Sequence, residues 1–397
     1  MTQMSFTSGA GLTFINARLG AGDIGSLRIV GSRIAGVAAD PQPGDSIVDL
    51  QGDRLLPGLI NAHDHLQLNS LPRGESKHYR HVRDWISEVD ARRHTDPAFA
   101  ASVAVARDER LLIGGVKNLL SGVTTVAHHD LLYPSLSSAG YPVRVVQDYG
   151  WSHSLYIEGE DKVKNSYRNT PVEWPWMVHA AEGLDDEARN EFEHLDALGC
   201  LGPNTLLVHG IALDQAQRMR LERASAGLIW CPSSNLSLFG ETAQVTGLLQ
   251  SGRVALGTDS RLSGARDLLD ELRIAAGIGG FDDAAVEAMV TRDSARLLRL
   301  ADRGTLQAGT RADLLVLPAQ TGLGAARRAD VRLVLIDGVV RYGDEDCAQC
   351  AAPASQWTAI RVDGRPKILD NRIAALLSKT GPAETGLEFP NLTWRAA

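Results

Sequence analysis

Along the first fifty residues, short runs of β-forming residues sit at 12–17, 26–30, 33–37 and 46–50, with the turn-rich segments GAGD and PQPGD among the residues between them. Runs of this length broken by Gly, Asp and Pro predict a small antiparallel sheet. From about Leu55 the pattern changes, and apolar strand-like runs alternate with longer amphipathic stretches. The strand candidates are LLPGLINAHDH (55–65), TTVAHHD (124–130), VRVVQDYG (143–150), WMVHAAEG (176–183), TLLVHGIAL (205–213), GLIWCP (227–232) and RVALGTDS (253–260). Helical stretches are expected at 97–121, 185–198, 214–226 and 284–300, with Gly122 at a C-cap position. After Arg303 the short-strand pattern returns, and the tail from Arg361 carries one expected helix at 368–378.

Alternating strands and helices imply a parallel sheet, and this many suit a (β/α) TIM-type barrel. The simplest arrangement pairs the two ends of the chain in one small β-sandwich. The expected domains are therefore 1–54 (first half of the sandwich), 55–302 (barrel), 303–345 (second half) and 346–397 (C-terminal extension).

Composition narrows the class. Apolar residues make up 44% and charged residues 22% of 397, as in soluble globular proteins. No apolar run is long enough for a membrane span. Met1 to Leu12 lack the layout of a secretion signal, so a cytoplasmic location is expected. A net charge of −8 argues against a nucleic-acid partner and leaves a small molecule as the expected one. Cys347 and Cys350 form a lone CxxC, read as a loop pair, while Cys200 and Cys231 read as small buried residues.

The histidines carry the chemistry. His63 and His65 form an HxH after an apolar run, and residues i and i+2 of a strand share one side. His179, His209 and Asp259 each stand where a further apolar strand stops. A lone strand-end histidine is more often packed or solvated than ligating; the recurrence at successive strand ends is what points to a metal. Three imidazoles and a carboxylate suit Zn²⁺, with Fe²⁺ or Mn²⁺ as alternatives, and leave one position for water. His128, His129, Asp130 and His153 also follow strands and are pocket candidates. Arg73 and Arg261 are candidates for a substrate anion, and Asn235 for a substrate hydrogen bond. His78, His81, His94 and His194 lie in polar surroundings and read as solvated.

Over residues 12–342 the sequence resembles the amidohydrolase superfamily, in its cytosine deaminase-like and triazine hydrolase-like branch. The resemblance rests on LLPGLINAHDH, GVTTV, HAAE, LVHG, CPSSNLSL, GTDS and SARLLRLADRGTLQAGTRADLLVL. It implies that His63, His65, His179 and Asp259 hold one divalent ion. It further implies that Glu182 shuttles a proton and that His209 polarises the substrate or holds the water. The implied reaction is hydrolytic deamination of an amino-substituted heterocycle by metal-bound hydroxide. The alternatives are a cyclic-amide ring-opening hydrolase, a dechlorinating hydrolase of a heteroaromatic ring, and a metal-free structural relative. A homo-oligomer is left open.

The sequence departs from the family in two places. Dinuclear relatives use a lysine at the end of the fourth strand; here only Lys162 and Lys164 fall in that interval, in a polar stretch, so a mononuclear site is expected. Only about 20 residues separate the third-strand run from Trp176, where a helix, strand and helix need roughly 40, so the fourth unit is expected to be shortened or lost. Asp64 replaces the commoner Thr between the two histidines.

Overall fold

The computed structural model describes residues 10–20 and 22–390. Most of the segment read for a secretion signal, and the last residues of the C-terminal extension, lie outside the described residues. No described helix is long and apolar enough to cross a membrane.

The front of the chain forms β1 (Leu12–Leu19), β2 (Ile24–Val30), β3 (Arg33–Val37), β4 (Ser46–Asp49) and β5 (Arg54–Pro57). Eight strands then run parallel within two sheets. They are β6 (Leu59–Asp64), β7 (Val123–His128), β8 (Arg144–Val145), β9 (Gly150–Ser152), β10 (Trp176–Ala180), β11 (Thr205–His209), β12 (Gly227–Trp230) and β13 (Val254–Leu256). One sheet has the order β6-β7-β8 and the other β13-β12-β11-β10-β9. On one side the sheets meet where the amides of Thr258 and Asp259 both donate to the His63 carbonyl, at 3.0 and 3.1 Å. Gly257 permits that approach, because a Cβ there would lie 2.6 Å from that of His63.

The run 143–150 is not one strand. It supplies β8, a link at 146–149, and the start of β9. The fourth unit is therefore present, and this corrects the expected shortening or loss: β9 pairs with β10 and is followed by helices α4 (Leu155–Glu158) and α5 (Glu160–Asn169). The shortening falls earlier. Residues 129–143 join β7 to β8 with only a 3₁₀ turn, and β8 passes to β9 with no helix between them. Strands of two and three residues leave no period-two signal to read.

The expected helix at 97–121 is two helices, α2 (Pro97–Ala104) and α3 (Arg107–Leu120), preceded by α1 (Val82–Thr95). The helix expected at 284–300 is likewise split, into Asp283–Met289 and Arg292–Leu297. Gly122 adopts the left-handed conformation at the end of α3, with φ 81°.

The back of the chain gives β14 (Leu314–Leu317), β15 (Leu333–Ile336), β16 (Val339–Gly343), β17 (Trp357–Val362), β18 (Arg365–Asp370) and β19 (Leu387–Glu388). These join β1–β5 in one eleven-stranded sheet, through antiparallel pairing of β5 with β14. Alternation along β14 serves two cores. Leu314 and Val316 pack with Phe14 and Leu27, while Leu315 and Leu317 join the cluster around Leu56 and Leu120. The tail does not stand apart, because β17–β19 lengthen this same sheet. Its expected helix at 368–378 is a strand ending at Asp370, whose carboxylate caps the helix Asn371–Leu377. Cys347 and Cys350 lie at a short helix, Glu345–Gln349, rather than in a loop.

Candidate metal centre

Residues at or just beyond several strand ends line one cavity of about 280 Å³, among them His65, His129, His153, His179, Glu182, His209 and Asp259. The Nε2 atoms of His65 and His179 lie 3.3 Å apart. Asp259 Oδ1 is 3.6 Å from His65 Nε2 and 3.8 Å from His63 Nε2. Four donors at about 2.0–2.1 Å around a tetrahedral ion are about 3.3–3.4 Å from each other, so these three pairs need little adjustment to share one, and donor atoms of His63, His65, His129 and His179 all lie within 4.8 Å of one another.

Hydrogen bonds behind the cluster leave the right atoms bare. His179 Nδ1 donates to the His153 carbonyl at 2.8 Å, which frees Nε2. His129 Nε2 donates to the Ser152 carbonyl at 3.0 Å, so His129 Nδ1 accepts from His63 Nδ1 at 3.2 Å. His63 Nε2 is then buried without any hydrogen-bond partner, a costly state that a cation relieves. Asp259 Oδ2 accepts from the hydroxyls of Ser234 (2.7 Å) and Ser263 (2.5 Å), which turns Oδ1 toward the imidazoles.

Burial pulls His63 and His153 down to about 4 and holds His129 and His179 well below the usual histidine range. Neutral imidazole is the ligating form. Burial pushes the Asp259 carboxyl up, but the nearby imidazoles of His63, His65 and His209 more than offset it and hold it below the usual carboxylate range. Glu182 goes the other way: burial first, then the charge of Asp259, hold it well above the ordinary carboxylate range. Its Oε1 lies 3.4 Å from His209 Nε2. His209 Nδ1 donates to Asn235 Oδ1 at 2.9 Å, and Asn235 Nδ2 is held by Thr242 at 3.2 Å. His209 and Asp259 have φ of 75° and 53°, left-handed values that cost a non-glycine residue about 1–3 kcal/mol.

Not every residue singled out in the sequence reaches the cavity. Arg73 donates to the carbonyls of Arg261 and Gly264, and Arg261 pairs with Glu384, so neither guanidinium borders the cavity. Asn235 acts behind His209 rather than in the cavity wall. His128 is buried against the Asp64 carbonyl, whereas Asp130 lines the cavity, held by Gln67 at 2.7 Å. His81 is not solvated: it is 1% exposed and caps α1 by accepting from the Arg83 amide. His81, Asp185 and Glu187 also cluster, but Arg83 already pairs with both carboxylates.

Two features were missed. Val82, Trp85, Ile86 and Val89 of α1 form an apolar cavity wall, and their helical spacing was readable. The Val82 amide donates to the Glu182 carbonyl at 3.2 Å, tying this helix to the loop of the proposed proton shuttle. The second is Lys117, which is fully buried and paired with Asp64 at 3.1 Å behind the HxH.

Glu271 supports the wall from outside, accepting from the Ser233 amide at 2.8 Å, next to the Ser234 that binds Asp259. Burial pushes its pKa up to about 8 from 4.5, against the bonds from Ser233. A carboxyl raised on folding contributes stability that is full below the unfolded value and is lost as pH rises through the folded one. Relative to Glu271→Gln, the wild type should therefore lose melting temperature from about pH 5 to about pH 9. Thermal melts across that range check this; a constant gap would remove Glu271 as the source.

The model of the Amidohydrolase family matches residues 173–341. A 5-methylthioadenosine/S-adenosylhomocysteine deaminase from Halobacterium salinarum is 26% identical over 82% of this chain and 89% of its own. Among solved structures, a triazine hydrolase variant superposes with a TM-score of 0.71 at 16% identity, over 84% of this chain and 94% of its own. An adenosine deaminase from Xanthomonas campestris with bound zinc gives 0.67 at 19% identity, over 84% and 93%.

Proposed function

We propose, since this chain belongs to the amidohydrolase superfamily, that it is a metal-dependent hydrolase that deaminates an amino-substituted heterocycle and releases ammonia. The observation that carries this reading is the convergence of bare imidazole nitrogens and Asp259 Oδ1 beside the buried carboxyl of Glu182. His63, His65, His179 and Asp259 would hold one divalent ion, with zinc favoured by the imidazole-rich set. When bound, such an ion lowers the pKa of water so that hydroxide is available near neutral pH.

The remaining work falls to the side chains. Glu182 takes up the proton that the attacking water gives up and delivers it to the departing nitrogen, which leaves as ammonia. His209, fixed by Asn235, presents Nε2 to Glu182 and to the substrate. His129 sets the tautomer of His63 and so acts behind the ligand set. His153 and Trp151 line the same cavity as Val82, Trp85, Ile86 and Val89 of α1, an aromatic and apolar lining suited to a flat ring. The Halobacterium relative's named activity favours an aminopurine derivative as the ring. In the same reading β6–β13 form a distorted (β/α)₈-type barrel over 55–302, set between the two halves of a terminal β domain.

An ammonia-release screen over aminopurines, pterins, pyrimidines and triazines tests this. Ammonia from one of these classes is expected. Ring opening or chloride release without ammonia would overturn deamination. Separately, His179→Ala should lower bound zinc by about 10-fold or more in affinity; unchanged affinity would remove His179 from the ligand set.

A further inference from the structure

The loop 260–267 follows Asp259 directly, and three of its residues reach the site. Ser263 donates to Asp259, while Ser260 and Leu262 line the cavity. The loop contains no helix or strand, yet it is pinned from outside by the C-terminal tail. Arg261 donates through Nη1 and Nη2 to both oxygens of Glu384, at 2.8 and 2.5 Å. Its Nε donates to the Arg266 carbonyl at 2.7 Å and closes the loop on itself. Glu384 also accepts from Arg328 at 2.7 Å, and Arg328 pairs with Asp267 at 2.6 Å. The side chains of Glu384, Arg328 and Asp267 are 0%, 1% and 2% exposed, and Arg261 is 13% exposed. Two positive and two negative groups are thus enclosed together with their charges balanced.

We infer that Glu384 is a positioning residue: through Arg261 it holds the 260–267 loop so that Ser263 fixes the Asp259 carboxylate and Leu262 closes the cavity wall. The C-terminal extension is in this way part of the active site's support, although it contributes no group to the chemistry. Removing the Glu384 charge leaves Arg261 and Arg328 enclosed with one carboxylate between them, which favours expulsion of the more exposed Arg261 and release of the loop. The same contacts explain why Arg261 does not serve as a substrate anion site. The inference rests on the proposed role of Asp259 as a metal ligand.

Glu384→Gln keeps the side chain's shape and removes its charge. Hydrogen–deuterium exchange of the 260–267 peptide should speed up in the variant while peptides of β10 and β11 are unchanged. Zinc affinity of the stripped and reloaded protein, measured by chelator competition, should fall about 10-fold. Asp363→Asn breaks the more exposed contact of the same tail with Arg266 and should change neither reading. If Glu384→Gln does not fold, the double variant Arg261→Met/Glu384→Met keeps the balanced Arg328–Asp267 pair and tests the same link. Wild-type exchange of the loop in whichever variant folds overturns the inference. Wild-type protein that takes up no zinc overturns instead the ligand role of Asp259, and the exchange reading still decides the brace.

Discussion

Glu182→Gln is expected to lower kcat by about 10²–10⁴-fold while leaving the bound metal in place. Gln has nearly the same shape but cannot give up a proton. Glu182 lies three residues beyond His179, follows the left-handed Ala181 (φ 55°), and lines the cavity beside His209. Burial holds its carboxyl well above the ordinary carboxylate range, which favours the protonated state that a proton donor to a leaving amine needs. Its Oε1 faces His209 Nε2 at 3.4 Å and it stands outside the proposed ligand set, so the metal should survive its replacement. Turnover and metal content measured on the same sample check this. Retained activity would remove Glu182 as the proton carrier, and lost metal would make it a ligand.

Lys117→Met should destabilise the protein by about 3–5 kcal/mol, the usual cost of leaving a buried charge unpaired. Lys117 Nζ reaches Asp64 at 3.1 Å, Asn69 Oδ1 at 2.8 Å and Thr258 Oγ1 at 3.0 Å. Asp64 also accepts from Asn118 at 2.7 Å and Asn69 at 2.8 Å. Asp64 sits between His63 and His65, and Thr258 precedes Asp259, so this one ammonium joins two ligand-bearing strand ends from behind. Adding Asp64→Thr to Lys117→Met removes both charges, and the double variant should be more stable than Lys117→Met alone. Urea unfolding of the single and double variants measures the coupling. A double variant less stable than Lys117→Met would contradict a compensating pair.

Much of the centre was legible in the sequence because its residues stand where apolar runs stop. His63, His65, His179, His209 and Asp259 all have that placement, and the structure gathers them. The roles of neighbours were less legible, since they depend on partners far away in the chain. Arg261 is taken by Glu384, 123 residues on, and His129 acts through His63. Lys117 interrupts the apolar stretch LLIGGVKNLL, a signal that its pairing with Asp64 explains only in three dimensions. The fold was readable where strands alternate with full-length helices. It was misread at 143–150, where two very short strands and a four-residue link look like one run. It was misread again in the tail, where β17–β19 owe their existence to the edge offered by β16.

Metal analysis of the purified protein is the most direct test of a single catalytic ion held by His63, His65, His179 and Asp259. About one divalent ion per chain, lost on chelation and regained with zinc, is the expected result. Protein that holds no metal and takes none up would contradict the enzyme reading outright, and two ions per chain would contradict the mononuclear site.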